Sequence, residues 1–97
     1  MKQEIDIRKI EDAAQRLRAI AHPMRIKIIS ILEKHQELNV TSIYEKLKIE
    51  QATASHHLSI LKTNGFLNSR RGGKNTYYSL RSEAVKNLLH CINRCGS

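Results

Sequence analysis

The sequence predicts one mainly α-helical domain with a small β-hairpin, and three observations support this prediction. The chain has 97 residues, so residues 1–97 are expected to form a single small domain. Most apolar residues recur at the spacing of amphipathic helices. Glycine and proline are scarce, with four glycines and one proline, yet Gly72 and Gly73 are adjacent. This pair separates two short runs of strand-compatible residues, which predicts a tight hairpin.

Two helices are predicted in the first third of the chain. The first is expected from about Asp6 to Ile20, where apolar residues beginning at Ile10 recur with i, i+3, i+4 and i+7 spacing. Pro23 suits the first turn of a second helix, because its missing N–H has no partner there in any case. That helix should run from about Pro23 to Lys34. Its apolar residues cover a wide face, which predicts that it is the buried central helix.

The middle of the chain predicts a short strand and then two helices joined by a tight turn. The segment "ELNV" (37–40) is compatible with a single edge strand. Thr41 is expected to cap a short helix formed by "SIYEKLK" (42–48). After the turn, a further helix should extend from about Gln51 to Asn64 and end at Gly65. Two helices joined in this way form a helix-turn-helix, in which the second helix reads DNA.

The last part of the chain predicts the hairpin and a terminal helix. The segments "FLNSRR" (66–71) and "NTYYSL" (75–80) should pair as antiparallel strands across the glycine turn. Ser82 is expected to cap a final helix that runs to about Cys95. The predicted order of elements is therefore α-α-β-α-α-β-β-α.

The charge of the chain narrows the class of partner. The net charge is +8 and the isoelectric point is about 9.9, which favours nucleic acid or an anionic membrane surface. The alternative is a solvated basic surface with no partner.

The sequence also predicts where the protein is located. No stretch of about 18 apolar residues could span a membrane, and the N-terminus lacks an apolar signal region. Two cysteines do not make a disulfide framework, so we expect a cytoplasmic protein.

The helix predicted from Gln51 to Asn64 has an unusual outer face. At about 100° per residue, Ala54, Leu58 and Leu61 share the inner, apolar face. The outer face carries small polar residues, one histidine and no carboxylate. Such a face suits a helix that enters a DNA groove and offers hydroxyls, an imidazole and methyl groups to base edges. A glutamate there would repel the phosphate backbone.

The adjacent histidines His56 and His57 favour neither chelation nor catalysis. Neighbouring helical residues point about 100° apart, whereas helical ligand pairs lie at i and i+4. No Asp or Glu lies near either histidine to orient it, and no nucleophile motif is present, so the chain is not expected to be an enzyme. We expect His57 to be partly buried with a hydrogen-bond partner. His56 is either a DNA contact or a plain solvent-exposed histidine.

Basic residues around the glycine turn complete the predicted DNA-binding surface. Such a hairpin tip can lie along phosphates or probe the minor groove, the alternative being that its charges serve solubility alone. The candidate DNA-binding residues are Gln51, Thr53, Ser55, His56, Ser59, Lys62, Arg70, Arg71 and Lys74.

Three stretches of the chain resemble a known family. The segments "LRAIAHPMRIKIISIL", "SHHLSILKTNGFL" and "RRGGKNTYYSL", in this order, resemble the ArsR/SmtB family of bacterial winged-helix transcriptional repressors. The resemblance extends from about Ile10 to Leu89. It implies a winged helix-turn-helix that forms a homodimer through its first and last helices. It also implies that the dimer binds an imperfect palindrome in double-stranded DNA and is released by an inducer, whose identity the sequence does not reveal.

Many members of that family sense metals, but the known metal positions are not preserved here. One family site has two cysteines in the frame E-L-C-V-C-D-L, which reads "ELNVTSI" here, so Asn39 and Thr41 replace the thiolates. Another family site begins with Asp and His on the last helix, where this chain has Ser82 and Ala84. No metal site and no cofactor is therefore predicted.

Two interpretations of the roles of Cys91 and Cys95 remain open. They lie on the apolar side of the last helix, where they could be small buried hydrophobes at a dimer interface. Alternatively, two thiols at i and i+4 could sense oxidant or a soft metal or metalloid.

A further alternative for the whole domain is a winged-helix module that binds RNA or protein. RNA recognition generally uses aromatic stacking platforms, and this chain has only four aromatic residues.

Overall fold

The computed structural model describes residues 6–95 and confirms the predicted order of helices and strands. The helices are α1 (Ile7–Ile20), α2 (Pro23–His35), α3 (Val40–Leu47), α4 (Gln51–Thr63) and α5 (Glu83–Cys95). The strands are β1 (Glu37–Asn39), β2 (Leu67–Gly72) and β3 (Asn75–Leu80). Predicted and observed ends differ by at most two residues.

The three strands form one antiparallel sheet in the order β1-β3-β2. The predicted hairpin is confirmed, because Gly72 pairs with Asn75 and the two residues between them form the turn. Gly73 has a φ of +65°, a conformation that glycine adopts without the steric cost of a side chain. The predicted edge strand is also confirmed. Leu38 in β1 pairs with Tyr78 in β3, so the first strand closes the open side of the hairpin.

Helix α2 lies at the centre of the domain, as its wide apolar face predicts. It contacts every other element apart from β2 among the described residues. Ile28 and Leu32 are fully or almost fully buried, and Ile43, Leu58 and Leu61 of α3 and α4 are buried in the same cluster. Burial of each such side chain contributes about 1.5–3 kcal/mol. The central helix therefore fixes the positions of both helices of the helix-turn-helix.

Defined backbone turns end both helices of the helix-turn-helix. Lys48 ends α3 in the left-handed conformation, with a φ of 56°, and the Ile49 N–H donates to the carbonyl of Tyr44. Gly65 ends α4 as predicted, with a φ of +83°. The N–H of the next residue, Phe66, then donates to the carbonyl of Leu61 at 2.9 Å.

The predicted cap of α3 is wrong. Asn39, not Thr41, caps the helix, because its side-chain oxygen accepts a hydrogen bond from the Ser42 N–H at 2.8 Å. Thr41 lies within the first turn and is exposed. Strand β1 passes directly into the helix, so the helix begins at Val40, before the position that the sequence indicated. At the start of α5, Ser82 occupies the predicted N-cap position, and its carbonyl accepts from the Val85 N–H at 3.2 Å.

Much of the apolar face of α1 is not covered by the rest of the domain. Ile7, Ile10 and Leu17 are 69%, 48% and 56% exposed, whereas Ala19 and Ile20 at the end of the helix are buried. Helix α1 contacts only α2 and α4 among the described elements. The periodicity that predicted this helix therefore marks an exposed apolar stripe over most of its length.

We predict that Asn39→Ala lowers the free energy of unfolding by about 1 kcal/mol, because the Ser42 N–H loses its partner. Urea denaturation at fixed protein concentration measures the change. Thr41→Ala is the matched control and should change stability by less than about 0.5 kcal/mol. Equal losses in the two variants would contradict the assignment of the cap.

Candidate nucleic-acid interface

The outer face of α4 is open to solvent over its whole length. All six candidate residues on this helix are exposed: Gln51, Thr53, Ser55, His56, Ser59 and Lys62. On the opposite face, Ala54, Leu58 and Leu61 are fully buried. The helix contains no Asp or Glu, and its nearest carboxylate in sequence is Glu50, which precedes its first turn. The result is an exposed helical surface of hydroxyls, one imidazole and one ammonium group.

His57 anchors α4, the reading helix of the helix-turn-helix, to the rest of the domain. It is 7% exposed, and its Nδ1 accepts a hydrogen bond from Nε of Arg25 at 3.3 Å. Nη1 of Arg25 also donates to the carbonyl of Ala19 at 2.7 Å, so one guanidinium joins α4, α2 and the end of α1. The prediction of a partly buried histidine with a partner is confirmed.

A second histidine participates in this anchor and was not identified from the sequence. His22 lies before α2, and its Nδ1 accepts from the Met24 N–H at 3.1 Å, which caps the helix. The centre of its ring lies 4.7 Å from that of His57. The residues "HP" gave a signal, since a capping side chain just before an N-terminal proline is a common helix start.

The electrostatic environment of His57 disfavours its charged form. Burial lowers the pKa of His57, and the neighbouring His22, Arg25 and His56 lower it further. The neutral imidazole can accept the hydrogen bond from Arg25, whereas a protonated ring has no lone pair to offer. The anchor is therefore intact when His57 is neutral.

The three basic residues of the wing, the hairpin formed by β2 and β3, have different surroundings. Arg71 and Lys74 are exposed, and neither has a side-chain partner among residues 6–95. Arg70 is exposed as well, but its guanidinium donates two hydrogen bonds to the carboxylate of Glu37 at 2.7 and 2.6 Å. The same guanidinium lies 4.5 Å from the centre of the Tyr77 ring. Two of the three cations are thus free to meet a phosphate, and the third is already paired.

The pair between Arg70 and Glu37 joins the wing to strand β1. The hydrogen bonds from Arg70 lower the pKa of Glu37, and the same bonds raise the pKa of Arg70. Glu37 therefore stays ionised and offsets the positive charge of Arg70. Both groups are solvent-exposed, so the pair contributes little to stability. No local sequence pattern indicates this pair, because Glu37 and Arg70 are 33 positions apart.

Cys91 and Cys95 are both exposed and reduced on α5. The Cys91 side chain, one helical turn away, raises the pKa of Cys95. The opposite side of the helix is attached to the core, where Nε2 of His90 lies 2.8 Å from a carboxylate oxygen of Glu33. Within residues 6–95, no three His, Cys, Asp or Glu side chains are grouped so as to hold a metal ion.

This combination of an outward-facing second helix and a basic hairpin defines a winged helix-turn-helix domain of the DNA-binding class. The chain belongs to the ArsR family: residues 22–69 match the model described as "Bacterial regulatory protein, arsR family". It is thus a DNA-binding transcriptional regulator and not an enzyme. No helix within residues 6–95 has the length and apolar character needed to cross a membrane.

Named relatives share most of the length of the chain. The transcriptional repressor PagR of Bacillus anthracis is 39% identical over 90 residues, which are 93% of this chain and 90% of PagR. The transcriptional activator HlyU of Vibrio cholerae is 31% identical over 80% of this chain and 71% of HlyU.

Solved structures show the same fold. The crystal structure of PagR superimposes with a TM-score of 0.78 at 38% identity, covering 90% of this chain and 99% of PagR. The solution structure of Mb0332 from Mycobacterium bovis superimposes with a TM-score of 0.86 at 26% identity. It covers 99% of this chain and 90% of that chain, and it is described as a homodimeric winged helix-turn-helix DNA-binding domain.

We predict that the free energy of unfolding rises with pH between the folded-state pKa of His57 and its ordinary value of 6.5, because of His57. Its folded-state pKa lies below the ordinary value of 6.5, so the unfolded chain binds this proton more tightly. The contribution of His57 is complete above the unfolded-state pKa and is lost as the pH falls through the folded-state pKa. Urea denaturation across this range measures the loss.

The variant His57→Gln should flatten this pH dependence, because glutamine accepts from Arg25 but does not titrate. The variant His56→Gln is the control and should preserve the dependence. An unchanged pH profile in His57→Gln would contradict the assignment to His57.

Proposed function

We propose that this protein is a homodimeric transcriptional repressor that binds a palindromic operator and is released from it by an inducer. The observation that carries the proposal is the carboxylate-free outer face of α4 beside a wing whose Arg71 and Lys74 have no side-chain partner in the described chain. The outer face of α4 and these two wing residues are all exposed to solvent. The location of the DNA further implies that the protein acts in the cytoplasm.

In this proposal, α4 enters the major groove and the wing contacts the adjacent backbone. Hydroxyl groups and the imidazole of His56 can bond base edges or phosphates, and small side chains allow close approach. Lys62, Arg71 and Lys74 supply charge to the phosphates. Arg70 would join them by exchanging the carboxylate of Glu37 for a phosphate. The proposed contacts are Gln51, Thr53, Ser55, His56, Ser59, Lys62, Arg70, Arg71 and Lys74.

The exposed stripe of α1 supports a dimer built on the terminal helices. Ile7, Ile10 and Leu17 lie uncovered on one face, and apolar surface of this kind usually marks an interface. The homodimeric description of Mb0332, which shares the fold, supports the same assembly. A two-fold dimer would place two α4 helices about 34 Å apart, which matches successive turns of DNA.

Repression is favoured over activation by the relationship to PagR. That protein is named a repressor and is 39% identical over 93% of this chain, whereas the activator HlyU is 31% identical over 80%. The same DNA-binding surface would serve either outcome, since the position of the operator relative to the promoter decides the effect.

Selection of duplex DNA from a random pool tests the reader, the dimer and their orientation together. Bound duplexes should contain two inverted half-sites whose centres are about one helical turn apart. A single half-site, or no enrichment of any sequence, would contradict a dimeric sequence-specific repressor.

We predict that two substitutions affect binding to the selected duplex differently. Arg71→Ala should weaken binding to all sequences and lower the slope of log affinity against log salt by about 1 per protomer, because one phosphate contact is lost. His56→Ala should also reduce the preference for the selected base by about fivefold or more.

Fluorescence anisotropy at several fixed salt concentrations measures both effects. Arg8→Ala, which removes an exposed arginine near the start of α1, is the matched control and should bind as the unmodified protein does. Unchanged affinity in both Arg71→Ala and His56→Ala would exclude the proposed surface.

A second candidate function is a chemical sensor that uses Cys91 and Cys95. The observation that favours it is the position of two exposed, free thiols one helical turn apart on α5. An oxidant such as diamide would accept two electrons and two protons from the pair and leave a disulfide. Arsenite, As(OH)3, would instead form two As–S bonds in place of two As–O bonds, and the two displaced hydroxyl groups would leave as water with the two thiol protons. Either change would alter α5, which the proposed dimer uses.

We predict that diamide or arsenite weakens operator binding of the unmodified protein and not of the double variant Cys91→Ser, Cys95→Ser. DNA affinity measured with and without each reagent, and with zinc as a comparison, checks the prediction. If the two proteins respond identically, the cysteines have a structural role only.

A further inference from the structure

A cavity of about 490 Å³ lies between α1, the turn that follows α4, and the start of α5. This volume is within the range of small-molecule sites. A smaller depression of about 280 Å³ adjoins it, and both are lined by Arg16 and Arg81. None of the residues assigned above to DNA contact lines either opening, and neither do the two cysteines.

The walls of the cavity have two different chemistries. One wall is apolar and consists of Phe66, Val85 and Leu88. Arg16 and Arg81 line the cavity as well. Both are exposed, and neither has a side-chain ion pair or hydrogen bond in the described chain.

The position of Arg81 is defined by the turn after α4. Its backbone N–H donates to the carbonyl of Phe66 at 3.0 Å. Its guanidinium lies against Gly65, since a Cβ on that glycine would be 3.4 Å from Nη1. The guanidinium therefore rests beside the end of the reading helix without a negative partner.

We propose that this cavity binds an amphipathic carboxylate that acts as the inducer. Guanidinium groups bind carboxylates through paired hydrogen bonds, and Arg16 and Arg81 line the same opening. The apolar wall would accommodate a hydrocarbon chain or ring of the same molecule. Among residues 6–95, Asp12 is the only carboxylate that lines either opening, and it lies at the smaller one, which disfavours ligands of high negative charge such as polyphosphates.

The placement of the cavity explains how its occupant would act on DNA binding. It touches the end of α4 at Asn64 and Gly65, and it also touches α1 and α5. A ligand held between these elements changes the angle between the reading helices and the helices that form the proposed dimer. DNA affinity then falls if the ligand prefers an angle that does not fit the operator. The inducer role rests on the repressor function proposed above.

Octanoate is the probe for the site, because it combines one carboxylate with a short apolar chain. A titration of the ¹⁵N-labelled full-length protein, followed by NMR, should show saturable shifts at Asn64, Gly65 and Arg81 with a Kd of about 1 mM or below. Octanamide lacks the charge and acetate lacks the chain, so both should bind at least about tenfold more weakly. The site is overturned if binding does not saturate at about 10 mM octanoate, which is about tenfold above the expected Kd. It is also overturned if octanamide binds as tightly as octanoate.

Variants separate the two arginines from general effects of charge. Arg81→Gln and Arg16→Gln should each weaken octanoate binding about tenfold, as expected for loss of one charge-assisted contact. Arg8→Gln, which alters the same helix two turns before Arg16, should have no effect. Equal octanoate affinity in all three variants overturns the assignment of the arginines.

The inducer role is tested by operator binding with and without octanoate. Octanoate should weaken binding of the unmodified protein, and Arg81→Gln should bind the operator normally but lose the response. Octanoate binding without any change in DNA affinity overturns the inducer role. If the unmodified protein does not bind an operator even without octanoate, the repressor proposal fails. The NMR titration still tests the octanoate site independently in that case.

Discussion

The burial of one face of α4 against the centre of the domain is the constraint on which the DNA-binding surface depends. Leu58 and Leu61 are fully buried with Ile28 of α2 and Ile43 of α3. A rotation of α4 about its own axis would expose these side chains to water, at a cost of about 1.5–3 kcal/mol for each. The apolar cluster therefore determines which residues of α4 face outward, although none of its members can contact DNA.

The hydrogen bonds of Arg25 add direction to this apolar contact. Hydrophobic burial is roughly proportional to area and does not depend on angle, whereas a hydrogen bond to Nδ1 of His57 requires a defined geometry. The same guanidinium bonds the carbonyl of Ala19 at the end of α1. One side chain therefore bonds both the end of α1 and the reading helix, in addition to the direct contact between α1 and α4. This link connects the proposed dimer helices to the proposed DNA contacts.

The sequence predicted the order of the elements and the exposed face of α4, because both follow from local periodicity and from glycine and proline positions. It failed where contacts between distant segments decide the outcome. Asn39 replaces Thr41 as the cap because β1 runs straight into α3. The pairing of Arg70 with Glu37 depends on the strand order β1-β3-β2, which no local pattern reveals.

The arginine cavity was missed for the same reason. Arg16 lies in α1 and Arg81 lies just after β3, and only the folded chain brings them to one opening. No sequence pattern distinguishes these two arginines from the other basic residues of the chain.

Strand β2 forms one edge of the sheet, and its outward backbone groups have no partner strand in the order β1-β3-β2. Such edges invite pairing with another chain, and natural proteins block this by placing like charges along them. Arg71, which has no ion-pair partner among residues 6–95, lies on this strand. Two wings that approach edge to edge would bring two uncompensated Arg71 charges together, which disfavours pairing of the sheets at high concentration.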